Sequence, residues 1–420
     1  MQKIKSKVTD SIDFFQGLDP YELVEKYGSP LYVYNERILR QRCREIKSLV
    51  SYPEFSVNYS AKANSNLAFL EIVQEEGLNV DAMSPGEITA ELKAGFKPEQ
   101  IFYISNNVSE EEMRFAIKHN ILISVDSLSQ LEQYGRLNPG GKISARFNGG
   151  IGAGHHEKVV TAGKKTKFAI NPEYIPEFKE IIKKYNLTLA GINQHIGSLF
   201  MEGETYVNGV KAILEIAKQF DDLEFVDLGG GFGIPYKKSE DQPRLDIKEL
   251  GEKLDKVFED FAKEYGKRIT FKVEPGRYIS AESGLILGTV HAVKYNGPNK
   301  FAGTDIGFNV IARPVMYDSY HDIEVYRKSD VISEKEEPVT VVGNICESGD
   351  IIAKDRVLPD VQEGDLLGIL DAGAYGHSMS SNYNNRLRPA EVFIRETGEV
   401  VLTRERDTFD DILRKYISLK

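Results

Sequence analysis

The stretch Phe55-Ser-Val-Asn-Tyr-Ser-Ala-Lys62-Ala-Asn64 combines the pattern of a buried strand with a lysine directly behind it. Its apolar residues Phe55, Val57 and Tyr59 alternate with polar ones, which is the period of a strand with one apolar face. Lys62 follows between two alanines, where little water would surround its amine. Such an amine loses its proton more easily than that of a surface lysine and can then act as a nucleophile. By itself, however, the stretch favours a simpler interpretation, in which the lysine stem lies on apolar surface and the ammonium reaches water.

Strands of this kind recur along the chain, with a helical pattern in nearly every gap. The further strand-like runs are 78–83, 101–105, 121–125, 142–147, 188–195, 223–228 and 269–274. Apolar stripes at helical spacing cover 85–96, 109–120, 172–185, 205–220 and 247–265. Because alternating strands and helices pair their strands in parallel, eight such units predict an α/β fold with a closed (β/α)8 TIM barrel. A doubly wound open sheet is the alternative.

Beyond residue 280 the pattern changes to strands without regular helices. The runs are 285–293, 301–305, 324–326, 339–342, 365–370, 390–394 and 399–403, with a charged loop at 334–338 and a short terminal helix at 407–416. They predict a second, mainly β domain, which the strand-like run 31–34 joins because the barrel has no place for a ninth strand. The expected domains are therefore an N-terminal segment (1–34) that joins the β domain, the barrel (35–280) and the C-terminal β domain (281–420).

The composition favours a small ligand. Among 420 residues, 64 aspartates and glutamates outnumber 53 lysines and arginines, for a net charge of −11. Since no basic cluster stands out, neither nucleic acid nor an anionic membrane is an expected partner. The only cysteines, Cys43 and Cys346, are far apart, so neither a disulfide framework nor a metal site is predicted. No signal-like or membrane-spanning stretch is visible, and we expect a cytoplasmic protein.

Polar residues gather where the predicted barrel strands end, which is the face that carries active sites in such barrels. In strand order they are Lys62; Asp81, Ser84 and Glu87; Arg146 and Asn148; His195 and Ser198; Gly229 to Gly233; and Glu274 and Arg277. Each one alone is explained as a helix cap or loop residue. Their shared position at strand ends favours a common site.

The run Gly229-Gly-Gly-Phe-Gly233 can present backbone N–H groups to a phosphate, although a tight turn explains it equally well in isolation. Behind the seventh strand of a barrel, it coincides with a recurrent phosphate site. A lysine, a phosphate cradle and the acidic Glu274 are what pyridoxal phosphate requires. His195 could stack on its ring, although a lone histidine is more often a satisfied core residue. The sequence His155-His156-Glu157 favours a loop over the barrel rather than a metal site, because adjacent side chains rarely converge on one ion.

Eight short motifs now identify a family that this chain resembles. They are Tyr59-Ser-Ala-Lys-Ala-Asn64, Ser84-Pro-Gly-Glu87, His195-Ile-Gly-Ser198, Asp227-Leu-Gly-Gly-Gly-Phe-Gly233, Glu274-Pro-Gly-Arg277, Arg313-Pro-Val-Met-Tyr317, Cys346-Glu-Ser-Gly-Asp350 and Asp371-Ala-Gly-Ala-Tyr-Gly376. In this order they resemble the diaminopimelate decarboxylases, from about residue 30 to the end of the chain. The resemblance implies an alanine racemase-like, fold-type III pyridoxal 5'-phosphate enzyme, built from a barrel and a β domain.

The resemblance also implies roles for individual residues. Those expected at the cofactor are Lys62 as its covalent attachment, His195 against the ring, Gly230, Gly231 and Gly233 at the phosphate with Ser198 and Tyr375 nearby, and Glu274 at the ring nitrogen. Those expected around the amino-acid substrate are Arg277, Arg313, Tyr317, Glu347 and Tyr375, with Cys346 returning a proton to Cα. The implied assembly is a homodimer with shared active sites, to which the partner contributes Cys346 and Glu347.

The activity that the resemblance implies is decarboxylation of meso-2,6-diaminopimelate to L-lysine and CO2, the last step of lysine biosynthesis. Decarboxylases of ornithine, lysine or arginine are the nearest alternative. An amino-acid racemase on the same barrel is disfavoured, because reversible proton transfer suits a milder electron sink than an acidic partner such as Glu274 creates. A non-catalytic cofactor-binding homologue is disfavoured by the presence of Lys62, Glu274 and Cys346 together.

Overall fold

The computed structural model describes residues 7–104, 106–150, 153–154, 167–328 and 335–419. Its strands, in chain order, are β1 (Leu31–Asn35), β2 (Phe55–Ser60), β3 (Asn79–Ala82), β4 (Ile101–Ile104), β5 (Leu122–Val125), β6 (Lys142–Arg146), β7 (Ala153–Gly154), β8 (Thr188–Asn193), β9 (Gly197–Ser198), β10 (Phe225–Asp227), β11 (Thr270–Val273), β12 (Gly284–Asn296), β13 (Asn299–Thr304), β14 (Ile323–Tyr326), β15 (Glu336–Val342), β16 (Ile351–Pro359), β17 (Leu366–Ile369), β18 (Ala390–Ile394) and β19 (Val400–Arg404).

The helices that accompany these strands are α1 (Lys7–Ser11), α2 (Pro20–Tyr27), α3 (Glu36–Lys47), α4 (Leu67–Glu75), α5 (Pro85–Lys93), α6 (Glu110–Lys118), α7 (Leu128–Leu137), α8 (Ile175–Lys184), α9 (Gly203–Ala217), α10 (Ile247–Tyr265), α11 (Arg277–Ser280), α12 (Arg313–Tyr317) and α13 (Phe409–Leu413). Contacts within the chain divide it into two compact units. One comprises Arg40–Ile234 and Arg244–Ile279, and the other comprises Met1–Leu39, Pro235–Pro243 and Ser280–Lys420. Among the described residues, no helix has both the length and the apolar character needed to cross a membrane.

The first unit contains a closed barrel of eight parallel strands in the order β10, β11, β2, β3, β4, β5, β6 and β8. The barrel closes where Phe271 of β11 pairs with Phe55 of β2. The predicted (β/α)8 barrel is therefore confirmed, and the open sheet is excluded. The closure places the ends of all eight strands around one mouth.

Side chains alternate between the two faces of each barrel strand. On β11, the ring of Phe271 stacks on Phe258 of α10 at 4.0 Å, so this face packs against the outer helices. The next residue, Lys272, points the other way and lies 4.0 Å from the ring centre of Phe225. The same alternation directs the side chain of Glu274, at the end of β11, toward the barrel interior.

The second unit contains a mixed sheet with the strand path β16-β15-β13-β12-β1-β18-β19. Two more strands extend it, because β17 pairs with β12 and β14 pairs with β17. Strand β1 runs antiparallel to β12 and parallel to β18. Its residues Leu31 and Val33 are fully buried in a core with Leu285, Leu287 and Val392. The second, mainly β domain is thus confirmed, and the N-terminal strand belongs to its sheet.

Two predictions for this unit were wrong. No strand was predicted at β16, whose sequence Ile351-Ile-Ala-Lys-Asp-Arg-Val-Leu-Pro359 lacks a regular apolar alternation. It forms because β15 offers it an antiparallel partner. Residues 336–338, predicted as loop, begin β15, and the charged side chain of Glu336 stays exposed at its end. Strand pairing is non-local, so a short charged run does not reveal it.

Candidate active site

Lys62 lies in a 3-10 turn, Ala61–Ala63, that follows β2. The hydroxyl of Tyr59 donates to the carbonyl oxygen of Asn64 at 3.0 Å, which closes this turn. The side chain of Asn66 then caps α4. The lysine is therefore carried on a short, fastened turn at the mouth of the barrel, with buried alanines on both sides.

Three acidic side chains lie within electrostatic reach of Lys62. Burial raises the pKa of Asp81 to about 7, and it also raises the pKa values of Glu87 and Glu274. In each case the ammonium of Lys62 opposes the rise, because it stabilises the ionised carboxylate. Lys62 therefore lies near three acids that the sequence also assigned to the ends of barrel strands.

Glu274 is the most strongly perturbed of these acids and is 4% exposed. Burial raises its pKa well above the ordinary value, and the charges of Asp227 and Asp81 add to the rise. Its Oε1 atom is buried and has no hydrogen-bond partner among the described residues. Because an unpaired buried oxygen is costly, this atom is suited to a partner that the chain does not itself supply.

The glycine run keeps fewer N–H groups for a ligand than its sequence suggests. Gly229 donates to Asp227 at 2.9 Å, Gly230 donates to Nδ1 of His195 at 3.2 Å, and Gly233 donates to the carbonyl of Phe200 at 2.9 Å. The N–H groups of Gly231 and Phe232 have no hydrogen bond within the described part of the chain. These two groups of the run therefore remain open to a phosphate oxygen, and that of Gly231 is the one that no side chain accompanies.

None of the four glycines in this run leaves room for a Cβ atom. A Cβ at residue 230 would lie 2.0 Å from the carbonyl oxygen of Glu274, and a Cβ at residue 231 would lie 2.6 Å from that of Gly197. Gly231 also has a φ of +105°, which side chains disfavour. The glycine run therefore packs directly against the backbone of Glu274.

His195 lies two residues beyond β8 and is neutral in this setting. Burial lowers its pKa well below the ordinary value, and the charges of Lys62 and Arg146 act in the same direction. Its Nδ1 atom lies 3.9 Å from a carboxylate oxygen of Glu274 but already accepts the N–H of Gly230. The pair is therefore not an ion pair, and an uncharged imidazole ring faces the site.

Two arginines complete the barrel part of the site. Arg277 donates to the hydroxyl of Ser198 at 3.0 Å and is 7% exposed. Arg146 stacks its guanidinium 4.6 Å from the ring centre of Phe168. Its Nε and Nη2 atoms are buried without a partner among the described residues. Positive groups thus flank the acids at this mouth.

The second unit, which contains the mixed sheet and is called the β unit below, carries three further predicted site residues. Arg313 begins α12 and is 2% exposed, with Nη1 2.8 Å from Nε2 of His321. Tyr317 ends the same helix and is partly buried. Tyr375 is partly buried and has a φ of +55°, a strained backbone for a tyrosine.

Cys346 and Glu347 are exposed on the surface of the chain. The backbone N–H of Cys346 donates to the side chain of Asn384 at 3.0 Å, and the hydroxyl of Tyr383 donates to Glu347 at 2.6 Å. Both residues therefore lie in a supported loop that faces outward.

The predicted site residues fall into two sets. The barrel unit holds Lys62, His195, Ser198, Gly230, Gly231, Gly233, Glu274 and Arg277, whereas the β unit holds Arg313, Tyr317, Cys346, Glu347 and Tyr375. The predicted loop at His155 to Glu157 lies outside the described residues. In the part of the chain that is described, no cluster of His, Cys, Asp and Glu could hold a metal ion.

Asp227, which ends β10 and accepts a hydrogen bond from the N–H of Gly229, is not among the predicted site residues. Burial raises its pKa to about 6. Its position immediately before the glycine run was a usable signal. Tyr236 and His321, which contact Arg313, had no such signal, because they are distant from it in sequence or outside every motif.

Comparison with known proteins agrees with this geometry. Residues 36–281 match the family model described as the pyridoxal-dependent decarboxylase, pyridoxal binding domain. The diaminopimelate decarboxylase of Methanothermobacter thermautotrophicus is 44% identical over 95% of this chain and 94% of its own. The Helicobacter pylori diaminopimelate decarboxylase complexed with L-lysine superposes with a TM-score of 0.86 at 31% identity, covering 94% of this chain and 98% of its own. The M. jannaschii enzyme in complex with L-lysine gives 0.85 at 30% identity, covering 96% and 95%. The chain therefore belongs to the pyridoxal-dependent decarboxylases and, among them, to the diaminopimelate decarboxylase family.

Proposed function

We propose that this protein decarboxylates meso-2,6-diaminopimelate to L-lysine and CO2 with pyridoxal 5'-phosphate as cofactor. The observation that carries the proposal is the barrel mouth, where Lys62, the unpartnered Oε1 of Glu274 and the open N–H of Gly231 occur together. These are an amine, an acid and a phosphate-binding group, the three functions that this cofactor needs from a protein. The family to which the chain belongs supports the same conclusion.

The residues present fit the cofactor. When bound, pyridoxal phosphate acts as an electron sink for the bond that breaks at Cα. Lys62 would hold it covalently, His195 would lie against its ring, and the N–H of Gly231 would bind its phosphate, with Ser198 and Tyr375 nearby. Gly230 and Gly233 keep the run close-packed and so place that N–H.

Glu274 would bind the ring nitrogen through Oε1. Because burial and neighbouring carboxylates raise its pKa, the side chain holds a proton that it can share with a basic nitrogen. The ionised carboxylate that remains would then face a positive charge, which removes the penalty of burying it.

Substrate recognition is proposed to involve Arg277, Arg313, Tyr317, Glu347 and Tyr375. The far end of diaminopimelate carries a carboxylate as well as an ammonium, whereas lysine and ornithine carry only an ammonium there. A guanidinium can bind a carboxylate with two parallel hydrogen bonds, so Arg313 is the residue proposed to recognise the distal carboxylate. Glu347 would bind the ammonium.

Cys346 is proposed to return the proton to Cα after CO2 has left. Since Cys346 and Glu347 are exposed on this chain, we propose that each active site of a homodimer receives the partner subunit's Cys346 and the partner subunit's Glu347. Both cysteines are free thiols, which suits a reducing compartment, and we place the enzyme in the cytoplasm.

The main alternative is decarboxylation of another amino acid, such as ornithine, lysine or arginine. The test is to incubate the purified protein and cofactor separately with meso-diaminopimelate, ornithine and lysine, and to measure CO2 and amine product. Release of CO2 from diaminopimelate with formation of L-lysine is expected. A preference for ornithine or lysine would refute the proposal in favour of the alternative.

The role of Arg313 has its own test. A substrate without the distal carboxylate leaves this arginine desolvated, which we expect to cost about 2–5 kcal/mol in selectivity. Arg313→Ala should therefore lower activity on diaminopimelate far more than residual activity on lysine. An equal loss on both substrates would contradict the assignment of Arg313.

A further inference from the structure

Three side chains contact the guanidinium of Arg313. Its Nη1 atom lies 2.8 Å from Nε2 of His321, and its Nη2 atom donates to the hydroxyl of Ser319 at 3.4 Å. The centre of the Tyr236 ring lies 4.8 Å from the guanidinium carbon, within the range of a cation–π contact. Arg313 is thus oriented by an aromatic face and by hydrogen bonds in its own plane.

The hydrogen bonds of His321 determine which of its nitrogens carries the proton. Nδ1 lies 2.7 Å from the carbonyl oxygen of Leu370, which can only accept, so Nδ1 donates. In the neutral ring, Nε2 is then the acceptor and takes the N–H of Arg313. The imidazole therefore connects Arg313 to the backbone at the end of β17.

Tyr236 contacts both members of this pair. It is 5% exposed, and its ring lies edge-on to that of His321 at 5.3 Å and 76°. The two residues that hold the chain segment after Tyr236 in place are Lys238 and Ser239. Lys238 binds Asp371 at 2.5 Å, and Ser239 donates to Asp322 through its backbone N–H at 3.0 Å and its hydroxyl at 2.5 Å. The Tyr236 ring is therefore held at a defined place beneath the guanidinium.

We infer that Tyr236 is a positioning residue for Arg313 and, through it, a determinant of selectivity for ligands with a carboxylate at the far end. The inference rests on the proposed function, which assigns that carboxylate to Arg313. An arginine side chain loses much rotamer freedom when it is ordered, and bidentate binding needs its planar group in one orientation. The ring face of Tyr236 and the acceptor of His321 establish that orientation before the ligand arrives.

The test compares Tyr236→Leu, which removes the ring, with Tyr236→Phe, which keeps it. One readout is the ratio of kcat/KM for meso-diaminopimelate to that for lysine. The other is the ratio of the affinities of the cofactor-loaded enzyme for L-lysine and cadaverine. L-Lysine bound as the reaction product, with its amine end at the reacting position, has its carboxylate at the far end, whereas cadaverine has none. Tyr236→Leu should lower both ratios about tenfold, equivalent to about 1.4 kcal/mol, mainly through a higher KM for diaminopimelate. Tyr236→Phe should behave as the wild type.

Unchanged ratios in Tyr236→Leu, or an equal loss in Tyr236→Phe, would overturn the inference while leaving the proposed function intact. A wild-type enzyme that does not distinguish L-lysine from cadaverine, or that does not prefer diaminopimelate to lysine, would overturn the proposed function and the inference with it. Thermal melting verifies that each variant is folded. If the leucine variant is not, Tyr236→Met provides the same removal of the ring with a longer, more adaptable side chain.

Discussion

Replacing Glu91 with glutamine should make the stability of the protein less dependent on pH across the weakly acidic to neutral range. Glu91 lies on α5, is 0% exposed, and has no hydrogen-bond partner for either carboxyl oxygen among the described residues. Burial raises its pKa to about 9, and the charges of Asp81 and Glu87 act in the same direction. The folded protein therefore keeps this proton over a pH range in which the unfolded chain releases it, from about 4.3 to about 9.

The folded state binds more protons than the unfolded state in this range, so the contribution of Glu91 to stability is complete below about pH 4.3 and is lost as the pH rises through about 9. The loss is about 1.4 kcal/mol per pH unit, which gives at most about 2.7 kcal/mol between about pH 5.5 and about pH 7.5. Glutamine has nearly the same size and does not ionise, so Glu91→Gln should lack this dependence. The free energy of unfolding of the variant should therefore increase relative to that of the wild type as the pH rises.

The assay is urea or thermal unfolding of wild type and Glu91→Gln across this pH range, in apoprotein so that cofactor binding does not contribute. Glu71→Gln, an exposed position on the neighbouring α4, is the matched control and should follow the wild type at every pH. A difference between wild type and Glu91→Gln that does not change with pH would refute the conclusion that Glu91 is a buried neutral acid.

Three further predictions concern the site. Borohydride reduction of the cofactor-loaded wild type followed by peptide mapping should place the pyridoxyl group on Lys62, and Lys62→Ala should lose covalent attachment; label on another lysine would contradict the assignment. Cys346→Ala should lower turnover by a factor on the order of 10²–10⁴ without affecting cofactor binding, as expected for a lost general acid. Near-normal turnover would leave Cys346 with a structural role only. Gly230→Ala would place a Cβ 2.0 Å from the carbonyl of Glu274, and a packing cost of about 1–3 kcal/mol should appear in cofactor titrations as binding weaker by about 5- to 150-fold. Gly303→Ala, whose Cβ would come no closer than 3.5 Å to the atoms around it, should bind normally, and equal affinities in both variants would rule out this packing effect.

The sequence by itself was sufficient for the barrel and for the candidate residues at its mouth. The alternation in β2 and the apolar stripe of α10 are local patterns that repeat with the period of the element, so they are visible without any knowledge of packing. Eight such units in succession leave few ways to pair the strands. Because active-site groups in a barrel follow the strands, the sequence alone is enough to place Lys62 and Glu274 at the same mouth.

Only the tertiary structure decided which polar groups are already bonded and which remain open to a ligand. In the glycine run, Gly230 donates to His195, while Gly231 keeps its N–H, a difference that identical residue types cannot reveal. The partnership of Arg313 with Tyr236 likewise joins residues that are far apart in sequence. Strand β16 likewise depends on another part of the chain. Its own sequence lacks a regular apolar alternation, and the strand forms by pairing with β15. Local periodicity is encoded in neighbouring residues, whereas hydrogen-bond satisfaction and strand pairing depend on contacts between distant parts of the chain, and these exist only once it has folded.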